Sequence, residues 1–218
     1  MTQQSLTNQA VVLIHGLLMP AWGMGLLACR LRQAGAITGL FSYSPRHQPL
    51  AKNAAALACF VARLPASTVH LVGHSLGGLV AIRMLRDHPD LRPGRVVLLG
   101  TPYGGSSVAR RLSQSGWGRW LCGMSLEGAL LGDGPAWPGG RELGVIAGTK
   151  VLGISGLICA LVPPHDGVVT VAETEVPAAQ DTITLPVVHS GLLLSRAAAR
   201  QTTAFLAAGH FLTNAEAA

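Results

Sequence analysis

A three-layer α/β fold is the class that this 218-residue sequence predicts, with a doubly wound, mostly parallel sheet of about six strands and helices on both faces. Short β-branched apolar runs alternate with amphipathic runs along the chain, and strict alternation favours parallel strands joined by right-handed crossovers. Hydrophobic residues make up 49% of the chain and charged residues only 12%, which suits strands that are buried on both faces. The length fits one domain, which we expect to cover residues 1–218.

The individual elements follow from the spacing of apolar residues and from the turn-forming residues between them. Strands are predicted at residues 10–14, 39–43, 68–72, 95–99, 143–147 and 182–185. Helices are predicted at residues 22–33, 50–64, 76–87 and 195–208. Pro65 ends the second helix, because proline cannot continue one. Two segments, 113–140 and 148–167, interrupt the alternation.

Composition and charge argue against several classes of protein. The net charge is +6 at pH 7, but the arginine pairs at positions 30 and 32, 83 and 86, and 110 and 111 lie in separate parts of the chain rather than in one stretch. This distribution indicates a solvated helical surface rather than a nucleic-acid-binding face. Weak contact with an anionic membrane surface stays open. The longest apolar run, 151–162, is shorter than the roughly 20 residues that span a bilayer. The first residues lack the basic start and apolar centre of a secretory signal, so we expect a cytoplasmic protein.

The cysteines point the same way. Cys29, Cys59, Cys122 and Cys159 are scattered along the chain, and none clusters with another cysteine or with histidine at the spacing of a metal site. Reduced thiols are the simpler interpretation and agree with the cytoplasm. We expect no metal ion.

Gly73-His74-Ser75-Leu76-Gly77 is the motif that indicates a function. It joins the predicted strand 68–72 to the predicted helix 76–87, and a G-x-S-x-G motif at such a joint forms a nucleophile elbow. The turn holds the serine in a strained conformation, and the flanking glycines avoid collisions with the neighbouring strand and helix. Ser75 is thereby exposed at the positive end of a helix, where developing negative charge is stabilised. We expect Ser75 to be a catalytic nucleophile.

A serine nucleophile requires a base, and the base requires an orienting acid. His189 is the candidate base, because it follows the last predicted strand and precedes the closing helix. Asp166 is the candidate acid, since it follows the penultimate strand in a turn rich in proline and glycine. Asp133 is the second candidate for the acid. Asp181 starts the last strand, which is the wrong end for the active face of a parallel sheet.

An oxyanion hole requires two backbone N–H groups that point at the developing negative charge. The N–H of Leu76, the residue after the nucleophile, is one candidate. The N–H of Leu17 is the other, in the loop after the first strand, where Gly16 lets the backbone approach the substrate. His15 is interpreted as a hydrogen-bonded structural histidine rather than a catalytic one.

Taken together, these motifs resemble those of bacterial α/β-hydrolases in the lipase/esterase group. The stretches that carry the resemblance span most of the chain, at residues 11–16, 71–78, 100–106, 166–169 and 188–190. Tyr103 stands where many relatives have histidine. The resemblance implies the α/β-hydrolase fold in a compact form that lacks two opening antiparallel strands. It also implies a serine hydrolase that acts on carboxylic esters without a metal ion or another cofactor.

The segment 113–140 is predicted to cap the substrate pocket or to form its wall. It holds Trp117, Trp120 and Trp137, and tryptophans argue against disorder in a loop of this length. The sequence leaves open whether they line the pocket or pack the loop onto its own domain. The candidate pocket residues are His15, His74, Tyr103, Trp117 and Trp120.

An esterase or lipase for small-molecule or lipid esters of short to medium acyl chain is the predicted function. A thioesterase, an amidase or an acyltransferase would use the same residues, so the sequence does not separate these activities. A non-catalytic binding relative of the fold is the alternative from another class. The intact serine, acid and histidine argue against it.

Overall fold

The structure is a computed structural model, and it describes residues 5–151 and 161–213. Its strands are β1 (Ala10–Ile14), β2 (Ile37–Phe41), β3 (Val69–His74), β4 (Val96–Leu99), β5 (Leu143–Gly148) and β6 (Asp181–Leu185). They form one sheet in the order β2-β1-β3-β4-β5-β6, and each neighbouring pair is parallel. The predicted parallel sheet of about six strands is confirmed.

Eight α-helices are described in these two ranges. They are α1 (Gly25–Gln33), α2 (Leu50–Ala62), α3 (Leu76–Asp87), α4 (Ser107–Leu112), α5 (Gly116–Cys122), α6 (Val171–Thr174), α7 (Gly191–Leu194) and α8 (Arg196–Ala208). A 3₁₀ turn (Ala21–Met24) precedes α1, and another (Gly123–Ser125) with a π turn (Leu126–Leu130) follows α5. The helices of four to seven residues, α4 to α7, were not predicted, because so few residues carry no clear helical period.

Two hydrophobic clusters cover the two faces of the sheet. Val12 and Ile14 of β1 belong to the cluster that includes α2 and α3, whereas Val11 and Leu13 belong to the cluster that includes α1 and α8. Successive side chains of a strand point to opposite faces. A strand between two helical layers therefore needs a continuous apolar run, and β1 is buried along its whole length.

The strand order creates a switch point between β1 and β3. The chain moves outward from β1 to β2 and then returns to β3 on the other side of β1. Ile14 at the end of β1 lies beside Gly73 near the end of β3. The loops that begin at His15 and Ser75 therefore leave the sheet side by side, at the place where ligands of open α/β sheets bind.

The predicted bounds of the longer elements agree with the structure, and β2 shows the clearest shift. It was expected at 39–43 and is found at Ile37–Phe41, because its pairing with β1 begins at Ala10 and Ile37. Tyr43 leaves the strand and stacks on His15. A short edge strand has too weak an apolar pattern to fix its own ends.

Residues 152–160 lie outside the described part of the chain, and the expectations for the apolar run 151–162 and for Cys159 fall there. In the ranges 5–151 and 161–213, no helix has the length and apolar character that a bilayer crossing requires. The three cysteines in those ranges, Cys29, Cys59 and Cys122, are free thiols.

Candidate active site

Ser75 occupies the sharp turn between the end of β3 and the start of α3. Its backbone has φ +53° and ψ −126°, a conformation that residues with a Cβ rarely adopt. The Ser75 N–H donates a hydrogen bond of 2.9 Å to the Leu99 carbonyl, which ties the turn to the end of β4. The strained turn predicted for Ser75 is therefore present.

Three glycines allow this turn to pack closely. A Cβ on Gly73 would lie 2.4 Å from the Gly78 Cα, and a Cβ on Gly77 would lie 2.2 Å from the Ile14 carbonyl oxygen. A Cβ on Gly78 would lie 2.1 Å from the Thr101 Oγ1. The start of α3 thus lies against the ends of β1 and β3 at a distance that a side chain would prevent.

Asp166 and His189 are brought together beyond the carboxyl ends of β5 and β6. The Asp166 Oδ2 accepts a hydrogen bond of 2.7 Å from His189 Nδ1. The His189 N–H also donates to the Asp166 main-chain carbonyl, at 3.0 Å. Because the carboxylate oxygen accepts this bond, the proton lies on Nδ1, and in the neutral imidazole the lone pair is then on Nε2.

The turn around Asp166 orients its carboxylate. The side chain is 3% exposed, and its Oδ1 accepts hydrogen bonds from the N–H groups of Val168 and Val169, at 3.0 Å and 2.8 Å. Backbone donors of this kind hold a charged oxygen firmly. The other oxygen, Oδ2, is left for His189.

Two glycines that the sequence reasoning did not assign to the site make room for this pair. A Cβ on Gly148 would lie 2.7 Å from the Asp166 Cβ, and a Cβ on Gly100 would lie 3.1 Å from the His189 Nδ1. Gly100 has φ +56°. A glycine at the carboxyl end of a buried strand was the available signal, since Gly148 ends β5 and Gly100 follows β4.

The other two candidate aspartates, Asp133 and Asp181, have different partners. The Asp133 Oδ2 accepts a hydrogen bond of 2.6 Å from the Gly128 N–H, in its own loop. The Asp181 Oδ2 accepts one of 2.7 Å from the Phe211 N–H, at the amino end of β6. Both carboxylates therefore fix nearby backbone.

Leu17 and Leu76, the two candidates for the oxyanion hole, both lie close to Ser75 along the cavity wall. Leu76 is the first residue of α3, where N–H groups have no acceptor within the helix. A Cβ on Gly16 would lie 3.2 Å from the Ser75 Cβ, so the loop after β1 touches the serine. Neither N–H donates to another residue of the described chain, and both leucines line the cavity described below.

His74 and His15 are buried next to these loops, with exposures of 3% and 2%. His74 Nε2 donates a hydrogen bond of 3.2 Å to the His189 carbonyl, and the two rings are 4.7 Å apart. Burial, together with the nearby His189, lowers the pKa of His74 to about 3, and burial lowers the pKa of His15. Both rings are therefore neutral at neutral pH.

An apolar cavity of about 290 Å³ opens at Ser75 and His189. Its polar side chains are those of His74, Ser75, Ser106, His189 and Ser190. Most of the remaining lining is apolar and comes from the loop after β1 and from the segment of α4 and α5, with Leu18, Met19, Ala109, Leu112, Leu121 and Cys122. Such a lining suits an uncharged apolar group. Among the described residues, no cluster of three or more histidine, cysteine or acidic side chains could hold a metal ion.

The structure places the two tryptophans predicted for the pocket on the outer surface. Trp117 and Trp120 are 66% and 61% exposed, and the guanidinium of Arg46 lies 4.2 Å from the Trp120 ring centroid. Successive residues of a helix point in different directions. The residues of α5 that line the cavity are Leu121 and Cys122, so this segment forms the cavity wall with residues other than those expected.

Two further pocket candidates also lie outside the cavity lining. Tyr103 packs against the core, and its hydroxyl accepts a hydrogen bond of 3.1 Å from the Trp137 N–H. His15 is not in the lining either, since its ring stacks on Tyr43. Of the five candidates, His74 is in the lining.

Glu173 is a buried polar residue near the site, and the sequence analysis does not assign it a role. Its Oε2 accepts a hydrogen bond of 2.9 Å from the Thr170 N–H, and its Oε1 accepts one of 2.5 Å from the Ser107 N–H. Thr170 and Glu173 form a capping box at α6. This carboxylate joins the turn after Asp166 to the start of α4, and the Thr-x-x-Glu spacing in the sequence was the available signal.

No protein-family model and no curated protein matches this chain. Solved structures do match. The mature lipase BlEst2 of Bacillus licheniformis superimposes with a TM-score of 0.71 at 21% identity, over 84% of this chain and 86% of that one. The metagenomic carboxyl esterase MGS0156 gives 0.66 at 21% identity, over 85% and 65%. A pyrethroid hydrolase from Sphingobium faniae gives 0.61 at 15% identity, over 92% and 98%.

At these identities the likeness shows the fold. The chain has the α/β-hydrolase fold, and the structures similar to it include a bacterial lipase and a metagenomic carboxyl esterase. The fold class expected from the motifs is confirmed. The reaction depends on the residues of this chain's own site, since one fold supports many activities.

Proposed function

We propose that this protein is a serine hydrolase that cleaves carboxylic esters through an acyl-enzyme on Ser75. The observation that carries the proposal is the meeting of Ser75 and the Asp166–His189 pair at one apolar cavity. The structural neighbours include a lipase and a carboxyl esterase, which supports the same class of reaction. A binding protein would have no use for a serine in a strained turn beside a histidine with an orienting carboxylate.

In the first step, His189 Nε2 takes the Ser75 hydroxyl proton as Oγ attacks the ester carbonyl. Asp166 holds the ring in the tautomer that leaves Nε2 free, and its negative charge stabilises the imidazolium that forms. The hydroxyl of Ser75 makes no hydrogen bond to a described residue in the free protein. Catalytic hydrogen bonds often tighten only when substrate is bound.

The negative charge that develops on the carbonyl oxygen is stabilised by the N–H groups of Leu17 and Leu76. Each donor of this kind lowers the barrier by roughly 3 kcal/mol. His189 then protonates the leaving alcohol, and water hydrolyses the acyl-enzyme by the same route. The apolar wall from α4 and α5 receives the acyl chain, which we propose to be short to medium in length.

A series of p-nitrophenyl esters of increasing acyl length tests this proposal, with matched thioesters and anilides in parallel. We expect esters to be turned over fastest, and a fluorophosphonate to label Ser75 alone. Ser75→Ala is the control for both assays. No turnover and no labelling of the folded wild type would refute the proposal, and faster turnover of thioesters or anilides would change the substrate class. A cytoplasmic location and a single domain over residues 1–218 stay predictions.

A further inference from the structure

His15 makes one polar contact through its ring in the described part of the chain. Its Nδ1 lies 2.8 Å from the carbonyl oxygen of Gly16. A carbonyl oxygen only accepts, so Nδ1 carries the proton and donates. The other ring nitrogen, Nε2, is buried and has no hydrogen-bond partner among residues 5–151 and 161–213. Among the described residues, the ring therefore donates to the Gly16 carbonyl alone.

That carbonyl belongs to the peptide group whose N–H is the N–H of Leu17. The cis peptide bond among the described residues joins Pro163 to Pro164, so the Gly16–Leu17 bond is trans. In a trans peptide the C=O and the N–H point in opposite directions. When His15 holds the Gly16 carbonyl on its own side, the Leu17 N–H is directed away from the His15 ring.

The His15 ring has little freedom to move. It stacks on Tyr43 with ring centroids 4.4 Å apart, and the Tyr43 hydroxyl donates a hydrogen bond of 2.8 Å to the His15 carbonyl. Tyr43 in turn stacks on Phe41, at 5.7 Å. Two consecutive carbonyls at the end of β1, those of His15 and Gly16, are therefore tied to aromatic side chains behind the loop.

We propose that His15 is a positioning residue that sets the direction of the Gly16–Leu17 peptide, so that the Leu17 N–H faces the oxyanion. The inference rests on the proposed function, because it assigns that N–H to the oxyanion hole. Without the His15 donor the peptide is free to turn over, and a turned peptide would present its carbonyl oxygen to the developing negative charge. His15 thus acts on the transition state through the backbone and touches no substrate.

A matched pair of amide substitutions tests the proposal. The side-chain amide of His15→Asn places an N–H donor near the position of Nδ1, whereas that of His15→Gln places it near the position of Nε2. Both are polar and similar in size. We expect His15→Asn to keep kcat within a few-fold of wild type, and His15→Gln and His15→Leu to lower it roughly 10- to 100-fold. The KM should change little, because the interaction exists only in the transition state.

The rate of fluorophosphonate labelling at Ser75 provides a second measurement that needs no ester turnover. It should fall in His15→Gln and stay near wild type in His15→Asn, with melting temperatures compared for all variants. Equal kcat and equal labelling rates in the folded Asn and Gln variants would overturn the proposal, as would a rise in KM alone. A wild type that labels at Ser75 but cleaves no ester would contradict the proposed function and leave the His15 comparison measurable. A wild type that does not label at all would overturn both.

Discussion

The strand β3 carries a buried histidine near each end, and the two surroundings differ. At the amino end, His70 is satisfied on both sides: its Nδ1 accepts from the Arg95 N–H at 2.9 Å, and its Nε2 donates to the Gln9 Oε1 at 2.5 Å. At the carboxyl end, His74 Nε2 donates to the His189 carbonyl, while its Nδ1 has no partner among the described residues.

The same contrast extends across the sheet. Of the six buried side-chain atoms that lack a partner in the described chain, three lie just at or after the ends of β1, β3 and β4, on His15, His74 and Thr101. The strained Ser75 is at the same edge. At the opposite end of the strands, half-buried Arg141 donates to the carbonyls of Val69 and Arg92. At the carboxyl ends of the strands, these buried polar atoms lack partners in the part of the chain that the structure describes, and the backbone is strained, as is common at functional sites. At the amino ends, His70 and Arg141 are hydrogen-bonded.

The largest effect should follow from Ser75→Ala. Loss of the nucleophile is expected to lower kcat about 10⁵-fold or more, with no loss of stability, because alanine removes one oxygen from a strained turn. Ester turnover and the urea unfolding midpoint measure the two effects. Residual activity above about one per cent of wild type would show that another residue is the nucleophile.

The next largest effect is expected for Asp166→Asn. An amide at this position favours the wrong tautomer of His189, and kcat should fall by about 10⁴. Asp133→Asn and Asp181→Asn are the controls, since both carboxylates bond to local backbone. Their kcat should stay within a few-fold of wild type. A large loss of kcat in Asp133→Asn would mean that the segment 113–140 supplies the acid.

These residues also show what the sequence could predict. Ser75, Asp166 and His189 were placed by a local motif and by chain order, and β1 and α3 were predicted with the bounds observed. Such features depend on neighbours in the sequence. The outward position of Trp120 depends on contacts with Arg46, 74 positions away along the chain. The space that Gly100 leaves for His189 depends on how three separate loops meet.

The pH dependence of stability tests the amino end of β3, where His70 lies. Burial, with Arg95 and Arg141 nearby, lowers the pKa of His70 to about 4, compared with roughly 6.5 in an unfolded chain. Below pH 6.5, His70 binds a proton in the unfolded chain but stays neutral in the folded protein. The free energy of unfolding therefore falls as the pH falls. This one residue should account for about 2 kcal/mol between pH 7.5 and 5.

Urea unfolding of wild type and His70→Asn at pH 7.5 and pH 5 measures that contribution. His70→Asn removes the buried ring, so the variant should be less stable at pH 7.5. Asparagine cannot titrate, so the variant should lose about 2 kcal/mol less than wild type on acidification. Exposed His88 provides the control, and His88→Gln should behave as wild type. The kcat of folded His70→Asn should be unchanged at pH 7.5. An unaltered pH dependence in His70→Asn would contradict the low pKa.

The smallest expected effect separates the two faces of α5. Leu121 lines the cavity of about 290 Å³, whereas the neighbouring Trp120 is mostly exposed. Leu121→Trp should fill the acyl site and lower kcat/KM for octanoate relative to acetate by roughly tenfold, a typical result of changing the fit of an apolar pocket. Trp120→Ala removes the ring that the Arg46 guanidinium covers and should leave this ratio within twofold of wild type. Melting temperatures check that both variants are folded. If Trp120→Ala shifts the chain-length preference and Leu121→Trp does not, the acyl chain lies against the outer face of the helix, and the cavity at Ser75 has another occupant.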